Sequence, residues 1–127
     1  MKTIDNSEPL IAIGTDQPFS ITWDTEKGAE SAYPADLIRL VIQRLPTDGW
    51  TLVDSRHGAR CLEAIMKPAN GAVELEDADY DWLRRVVTDH APKLLGINAV
   101  LLDDALSLAD ESRAERRWPA AAGASVR

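Results

Sequence analysis

The residue types most capable of chemistry crowd into one stretch of acids. Five carboxylates lie between positions 74 and 81: Glu74, Glu76, Asp77, Asp79 and Asp81. Carboxylate oxygens are the ligands that calcium prefers. A calcium loop that begins at Asp77 fails at its two most demanding positions, because Trp82 replaces the glycine of the sixth position and Thr88 replaces the acid of the twelfth. We therefore interpret the acids as residues of a helix start, where the helix dipole favours negative charge.

A second candidate is formed by Asp54, His57 and Cys61. Spacings of three and four residues place all three on one helix face. Such a face, with His90 as a fourth ligand, is compatible with zinc, or with a thiolate activated by the imidazole. The chain has one cysteine, so it lacks the closely spaced cysteine pairs of structural zinc sites. A lone cysteine more often packs as a small apolar side chain, and we predict neither a metal site nor a catalytic site here.

The rest of the chain adds no catalytic signature. Its seven glycines are isolated from one another, so neither a dinucleotide fingerprint nor a phosphate-binding loop is present. No serine lies in a nucleophile elbow. We predict a protein that is not an enzyme and that binds no cofactor.

A basic, tryptophan-bearing segment follows the last predicted helix. Its residues are Arg113, Arg116, Arg117 and Trp118. Arginine and tryptophan are enriched at binding hot spots, so one interpretation is a short docking segment. The other is the solvated end of a helix. The charge contrast with residues 74–81 also permits head-to-tail self-association, which generates rings or filaments. We expect the acids and this segment to be the partner-binding residues.

The elements that position these residues are one hairpin and about four short helices. Phe19, Ile21 and Trp23 alternate with polar residues, which predicts a strand, and a hairpin over residues 9–24 follows. Two strands alone are marginally stable in water, so the hairpin is expected to pack on helices or to pair with another chain.

The first helix is expected to begin at Pro34 and to end before Pro46. Asp54 or Ser55 is predicted to cap the second helix, whose buried side consists of Leu62, Ile65 and Met66. Residues 72–75 form a brief extended piece.

The third helix begins among the acids and is expected to end at Pro92. The last spans residues 94–109, with one buried side: Leu101, Leu102, Ala105, Leu108 and Ala109.

These patterns predict an α+β fold that is mostly α. One compact domain is expected over residues 1–112, followed by a flexible tail over 113–127. The formal net charge of -7 disfavours direct nucleic-acid binding, because phosphate backbones are repelled. No signal peptide or run of ~20 apolar residues is present, so we expect no membrane partner and a cytoplasmic location.

Residues 36–87 resemble small acidic proteins encoded by tailed bacteriophages and prophages. In those proteins, a helix that ends in a proline–glycine turn precedes an arginine-bearing helix, and a Leu-Glu-Asp-Ala-Asp-Tyr motif opens the next one. The matching residues are Pro46, Gly49, Arg60, Leu62, Leu75, Glu76, Asp77, Ala78, Asp79 and Tyr80.

The resemblance implies a role in phage morphogenesis, in tail or head–tail assembly or in the virion, through protein–protein contacts without catalysis. The alternative is a small phage-encoded regulator, or an anti-defence inhibitor, that binds a host protein.

Overall fold

The computed structural model describes residues 1–67 and 71–109, and the backbone of residues 110–117. The fold is α+β and mostly helical, as predicted. Its elements in chain order are β1 (Lys2–Asp5), β2 (Ser20–Ile21), β3 (Glu30–Ser31), α1 (Pro34–Gln43), α2 (Leu52–Met66), β4 (Ala72–Leu75), α3 (Asp77–Leu95) and α4 (Ala99–Arg117). A short 3-10 turn, Gly96–Asn98, joins α3 to α4.

The core lies between the helices and the strands β1 and β4. The large apolar side chains buried most completely are Leu37, Ile38 and Val41 of α1, Leu83 of α3, Leu102 and Leu106 of α4, Ile4 of β1, and Val73 and Leu75 of β4. Burying each such side chain stabilises the fold by roughly 1.5–3 kcal/mol. The buried hydroxyl of Tyr80 donates a hydrogen bond to the carbonyl of Leu106, which satisfies the phenol and ties α3 to α4.

The N-terminus is held by a two-stranded antiparallel sheet that joins the first strand to the last. β1 pairs with β4, with Ile4 opposite Val73, and both side chains are fully buried. Asn6, which follows β1, ties this strand to the start of α1, because its side-chain oxygen accepts a hydrogen bond from the Ala35 N–H at 2.8 Å. The sequence predicted the extended piece at 72–75 but not its partner, because the pairing spans about 70 residues.

The N-terminal hairpin is present, but its pairing differs from the prediction. Residues 9–24 contribute a single bridge, Ile11 to Pro18, and the hydrogen-bonded ladder instead joins β2 to β3. Hydrogen bonds flank this bridge, from the Phe19 N–H to the Leu10 carbonyl and from the Ala12 N–H to the Gln17 carbonyl, but the Leu10 N–H turns away from Phe19. Ala32 completes the arrangement, since it accepts from the Leu10 N–H and donates to the Phe19 carbonyl.

The start of α2 also differs from the prediction. The cap is Thr51 rather than Asp54 or Ser55, and its hydroxyl accepts a hydrogen bond from the Asp54 N–H at 3.3 Å. The Asp54 carboxylate in return accepts from the Thr51 N–H at 3.0 Å. Asp54 is therefore the third helical residue of a capping box, where an acidic side chain accepts from the backbone N–H of the cap.

Pro92 lies inside α3 and does not end it, contrary to prediction. The helix runs to Leu95, because Ala91 is fully buried beside the proline and the Gly96 N–H donates to the Pro92 carbonyl. Packing thus offsets the one hydrogen bond that a proline removes. Gly96, with φ of 58°, ends the helix, and α4 consequently begins at Ala99 rather than at residue 94.

Two predicted core residues lie on the surface. Met66 is 72% exposed, because Cys61 and Ile65 occupy the buried face of α2. Leu108 is 56% exposed, and the buried face of α4 consists of Leu102, Leu106 and Ala109.

The predicted boundary after residue 112 falls inside α4, whose backbone continues to Arg117. The flexibility of the tail stays a prediction. In the described part of the chain, no helix combines the length and the apolar character needed to cross a bilayer.

Candidate functional site

The main polar cluster of the structure is built around Asp79, in the first turn of α3. Its side chain is buried, with 3% exposed. One carboxylate oxygen lies 2.7 Å from His57 Nδ1, and Arg60 Nε donates to both oxygens at 2.9 and 3.0 Å. His57 and Arg60 are one turn apart on α2, so both reach the start of α3 where the two helices pack. Asp79 therefore bonds inside the fold, and its side chain is not part of an exposed acidic surface.

Trp82 covers the imidazole of this cluster, and Trp50 packs against Trp82. Trp82 stacks on His57, with ring centroids 5.9 Å apart and planes 20° apart. Trp50 meets Trp82 edge-on at 5.9 Å and 76°. The indole N–H of Trp82 donates to Asp54 Oδ1 at 3.1 Å. Gly58 faces both indoles, each of which lies within 4 Å of the position that a Cβ would take.

The electrostatics of the cluster oppose thiol chemistry. Burial, and secondarily the charge of Asp79, raise the pKa of Cys61 to about 12, while Arg60 acts weakly in the opposite direction. A nucleophilic cysteine needs the reverse shift, so that thiolate is present near neutral pH. The Cys61 thiol instead lies 3.8 Å from the Asp79 carbonyl oxygen, to which it donates. Hydrogen bonds from Thr51 and from the Trp82 indole lower the pKa of Asp54, which keeps that carboxylate charged.

The cluster has part of the geometry of a catalytic histidine but offers no metal site. A carboxylate at Nδ1 orients an imidazole as it does in hydrolases. Across the described residues, no three histidine, cysteine or acidic side chains are grouped closely enough to hold a metal ion. Two of the four residues in the metal-site hypothesis, Asp54, His57, Cys61 and His90, bond to other side chains instead. Asp54 accepts from the Trp82 indole, and His57 bonds to Asp79.

The other predicted acids are dispersed. Asp77 lies 3.0 Å from the N-terminal ammonium group of Met1. Glu74, Glu76 and Asp81 are exposed, and their role in partner binding stays a prediction.

The basic segment is only partly within the described chain. Arg113, Arg116 and Arg117 belong to the backbone of α4, but their side chains are not described, and Trp118 lies outside the described residues.

Sequence reasoning missed a surface at the turn between α3 and α4. The Ile13 N–H donates to Asn98 Oδ1 at 3.0 Å and brings the N-terminal loop to this turn. Five large apolar side chains in these two segments are 38–68% exposed, and we call them the corner patch: Ile11, Ile13, Leu94, Ile97 and Val100. The only signal in the sequence was their apolar character, and the predicted buried side of the last helix included none of them.

No known protein family, curated protein or solved structure matches this chain in the comparisons made.

Proposed function

We propose that this chain is a non-catalytic protein-binding domain that acts in bacteriophage morphogenesis. It binds an apolar surface of an assembly protein in the bacterial cytoplasm, through the corner patch. The resemblance of residues 36–87 to phage proteins supports the class, and the exposed corner patch supports the mode of action.

The corner patch is the observation that carries this proposal. Ile97, 68% exposed, lies in the turn that the bond between Asn98 and Ile13 anchors, and Val100, 48% exposed, follows that turn in α4. Contiguous exposed apolar side chains on a soluble domain mark interaction sites more often than isolated ones do. The hydrogen bond fixes two separate chain segments together, so the surface is formed before a partner arrives and little ordering entropy opposes binding.

The polar cluster supports a role in structure rather than in catalysis. The carboxylate of Asp79, the inner nitrogen of His57 and the Nε of Arg60 are occupied by one another. Groups that satisfy one another inside a fold stabilise the packing of α2 against α3.

The test is sedimentation of the tagged chain with phage particles. After prophage induction in the cell that carries this gene, we expect the chain to comigrate with capsids, tails or their assembly intermediates on a density gradient. The double variant Ile97→Ser/Val100→Ser removes apolar contact area from the corner patch and is expected to leave the particle fractions.

The matched control is Leu52→Ser/Met66→Ser. These two side chains are as exposed as those of the corner patch, at 68% and 72%, but lie on α2. The control is expected to sediment with particles as the wild type does. A wild-type chain that stays at the top of the gradient, bound to one host protein, contradicts morphogenesis and supports the host-directed inhibitor instead.

A further inference from the structure

A groove between the N-terminal segment and α4 is lined by acidic as well as apolar side chains, whereas the corner patch is apolar. Its volume is about 260 Å³, and its lining includes Asp5, Glu8, Leu10, Leu101, Asp104 and Leu108. One wall is the exposed side of α4, where Leu101, Asp104 and Leu108 follow one another at helical spacing.

The lining of the groove combines acidic and apolar side chains. Three of its lining residues are acids, and none is basic. Asp5 accepts hydrogen bonds from the Ser7 N–H and hydroxyl at 2.9 and 2.6 Å, and these bonds lower the pKa of Asp5, so its charge persists. Leu108 leaves more than half of its surface uncovered beside these charges. This chemistry fits arginine, whose guanidinium pairs with carboxylates while its stem covers apolar surface.

The chain itself carries a segment of the complementary chemistry. Residues 113–118 read Arg-Ala-Glu-Arg-Arg-Trp, with three arginines against one acid. The groove of the same copy is out of reach for the helical part of this segment. At 1.5 Å per residue, a continuous helix carries Arg116 about 18 Å beyond Asp104, and the helix cannot fold back.

We propose that the groove binds residues 113–118 of a second copy of this chain, in a dimer whose two α4 helices run antiparallel. An antiparallel arrangement brings the end of each α4 to the middle of the other, so both grooves are filled by the same contact. Such an interface is isologous, and it closes at two copies. It therefore gives a dimer, unlike the ring or filament expected from a head-to-tail contact between the segment and residues 74–81.

A charge-swap experiment on the full chain tests this dimer. The groove variant is Glu8→Arg/Asp104→Arg, and the segment variant is Arg113→Glu/Arg116→Glu/Arg117→Glu. Each variant alone places like charges at both contacts, so each is expected to dimerise at least about tenfold more weakly than the wild type in sedimentation velocity. An equimolar mixture restores opposite charges at both contacts, and heterodimers are expected to form with wild-type affinity.

The control is Glu74→Arg/Glu76→Arg, which reverses exposed charges on the competing acidic surface. It is expected to dimerise like the wild type, and circular dichroism confirms that every variant is folded. The proposal is overturned by a wild-type chain that remains monomeric or forms open-ended oligomers. It is equally overturned if Glu74→Arg/Glu76→Arg abolishes the dimer, or if the mixture of the two swapped variants stays monomeric.

Discussion

The carboxylate of Asp79 shows how a charged side chain is accommodated inside this small domain. A buried charge is costly unless a partner compensates it, and Asp79 receives both Arg60 and His57. Arg60 is half exposed, so it supplies charge to the interior while keeping contact with water. The arrangement joins α2 to α3 through one carboxylate and orients the imidazole under Trp82.

At this scale we predict that Asp79→Ala destabilises the protein by about 2 kcal/mol or more, because it leaves the inner groups of His57 and Arg60 without their acceptor. The value lies below that of a fully buried ion pair, since Arg60 can be rehydrated. Urea unfolding measures the difference.

Asp81→Ala is the matched control, because Asp81 is an exposed acid of the same helix. Its effect is expected to stay within about 0.5 kcal/mol. Equal losses for the two variants would show that the loss comes from the charge of the α3 N-terminus rather than from the Asp79 contacts.

At the scale of the elements, two glycines are expected to respond in opposite ways to substitution by alanine. Gly58 lies within α2, where Trp82 and Trp50 approach it. Gly71 precedes β4 with φ of 71°, a left-handed conformation that favours glycine, and a Cβ there would lie 3.3 Å from the Ser7 Cβ.

We predict that Gly58→Ala stabilises the protein by roughly 0.5–1 kcal/mol, because alanine favours the helix and its Cβ would meet the two indoles at 3.5 and 3.7 Å, ordinary contact distances. Gly71→Ala is expected to destabilise the protein by a similar or larger amount, because the strain of a left-handed alanine adds to the crowding of its Cβ against Ser7. Thermal unfolding followed by circular dichroism separates them. A loss of stability in Gly58→Ala would mean that the indoles cannot accept even a methyl group.

At the scale of the whole molecule, the free energy of unfolding depends on pH through Cys61. The fold raises the pKa of this thiol from 9.0 to about 12, so the folded chain keeps a proton that the unfolded chain releases. The resulting stabilisation is complete below pH 9.0 and is lost as the pH rises from there toward about 12.

We therefore predict a decline in the free energy of unfolding across this alkaline range, which is measured by urea unfolding at a series of pH values. Below pH 9.0, Cys61→Ala lowers stability because it leaves a cavity, and its alkaline slope is expected to be shallower than that of the wild type. Parallel slopes would show that other groups cause the alkaline decline.

The corner patch and the groove also belong to this scale, because neither exists in any one element. The first needs the N-terminal loop at the α3–α4 turn, and the second needs residues 5–10 beside α4. They share no side chain, so the proposed phage assembly partner and the proposed second copy of the chain would bind different residues.

The sequence by itself determined the features that depend on near neighbours. Pro34 predicted the start of α1, and the acids at 76–77 predicted the start of α3, because both act on helix ends through local backbone geometry or the helix dipole. The alternation at residues 19–23 indicated a hairpin, and residues 72–75 an extended piece. The α+β class followed from these local signals.

Only the tertiary structure decided which residues meet across long separations. Helical spacing placed Asp54, His57 and Cys61 on one face, but only the packing of α3 on α2 gave His57 to Asp79 and Asp54 to Trp82. The acids at 74–81 looked alike in the sequence, yet Asp79 is buried while Asp81 is exposed, because successive residues of a helix point 100° apart and only one side faces α2. The acidic run first suggested a single binding surface; packing divided it between an internal bond and separate exposed carboxylates.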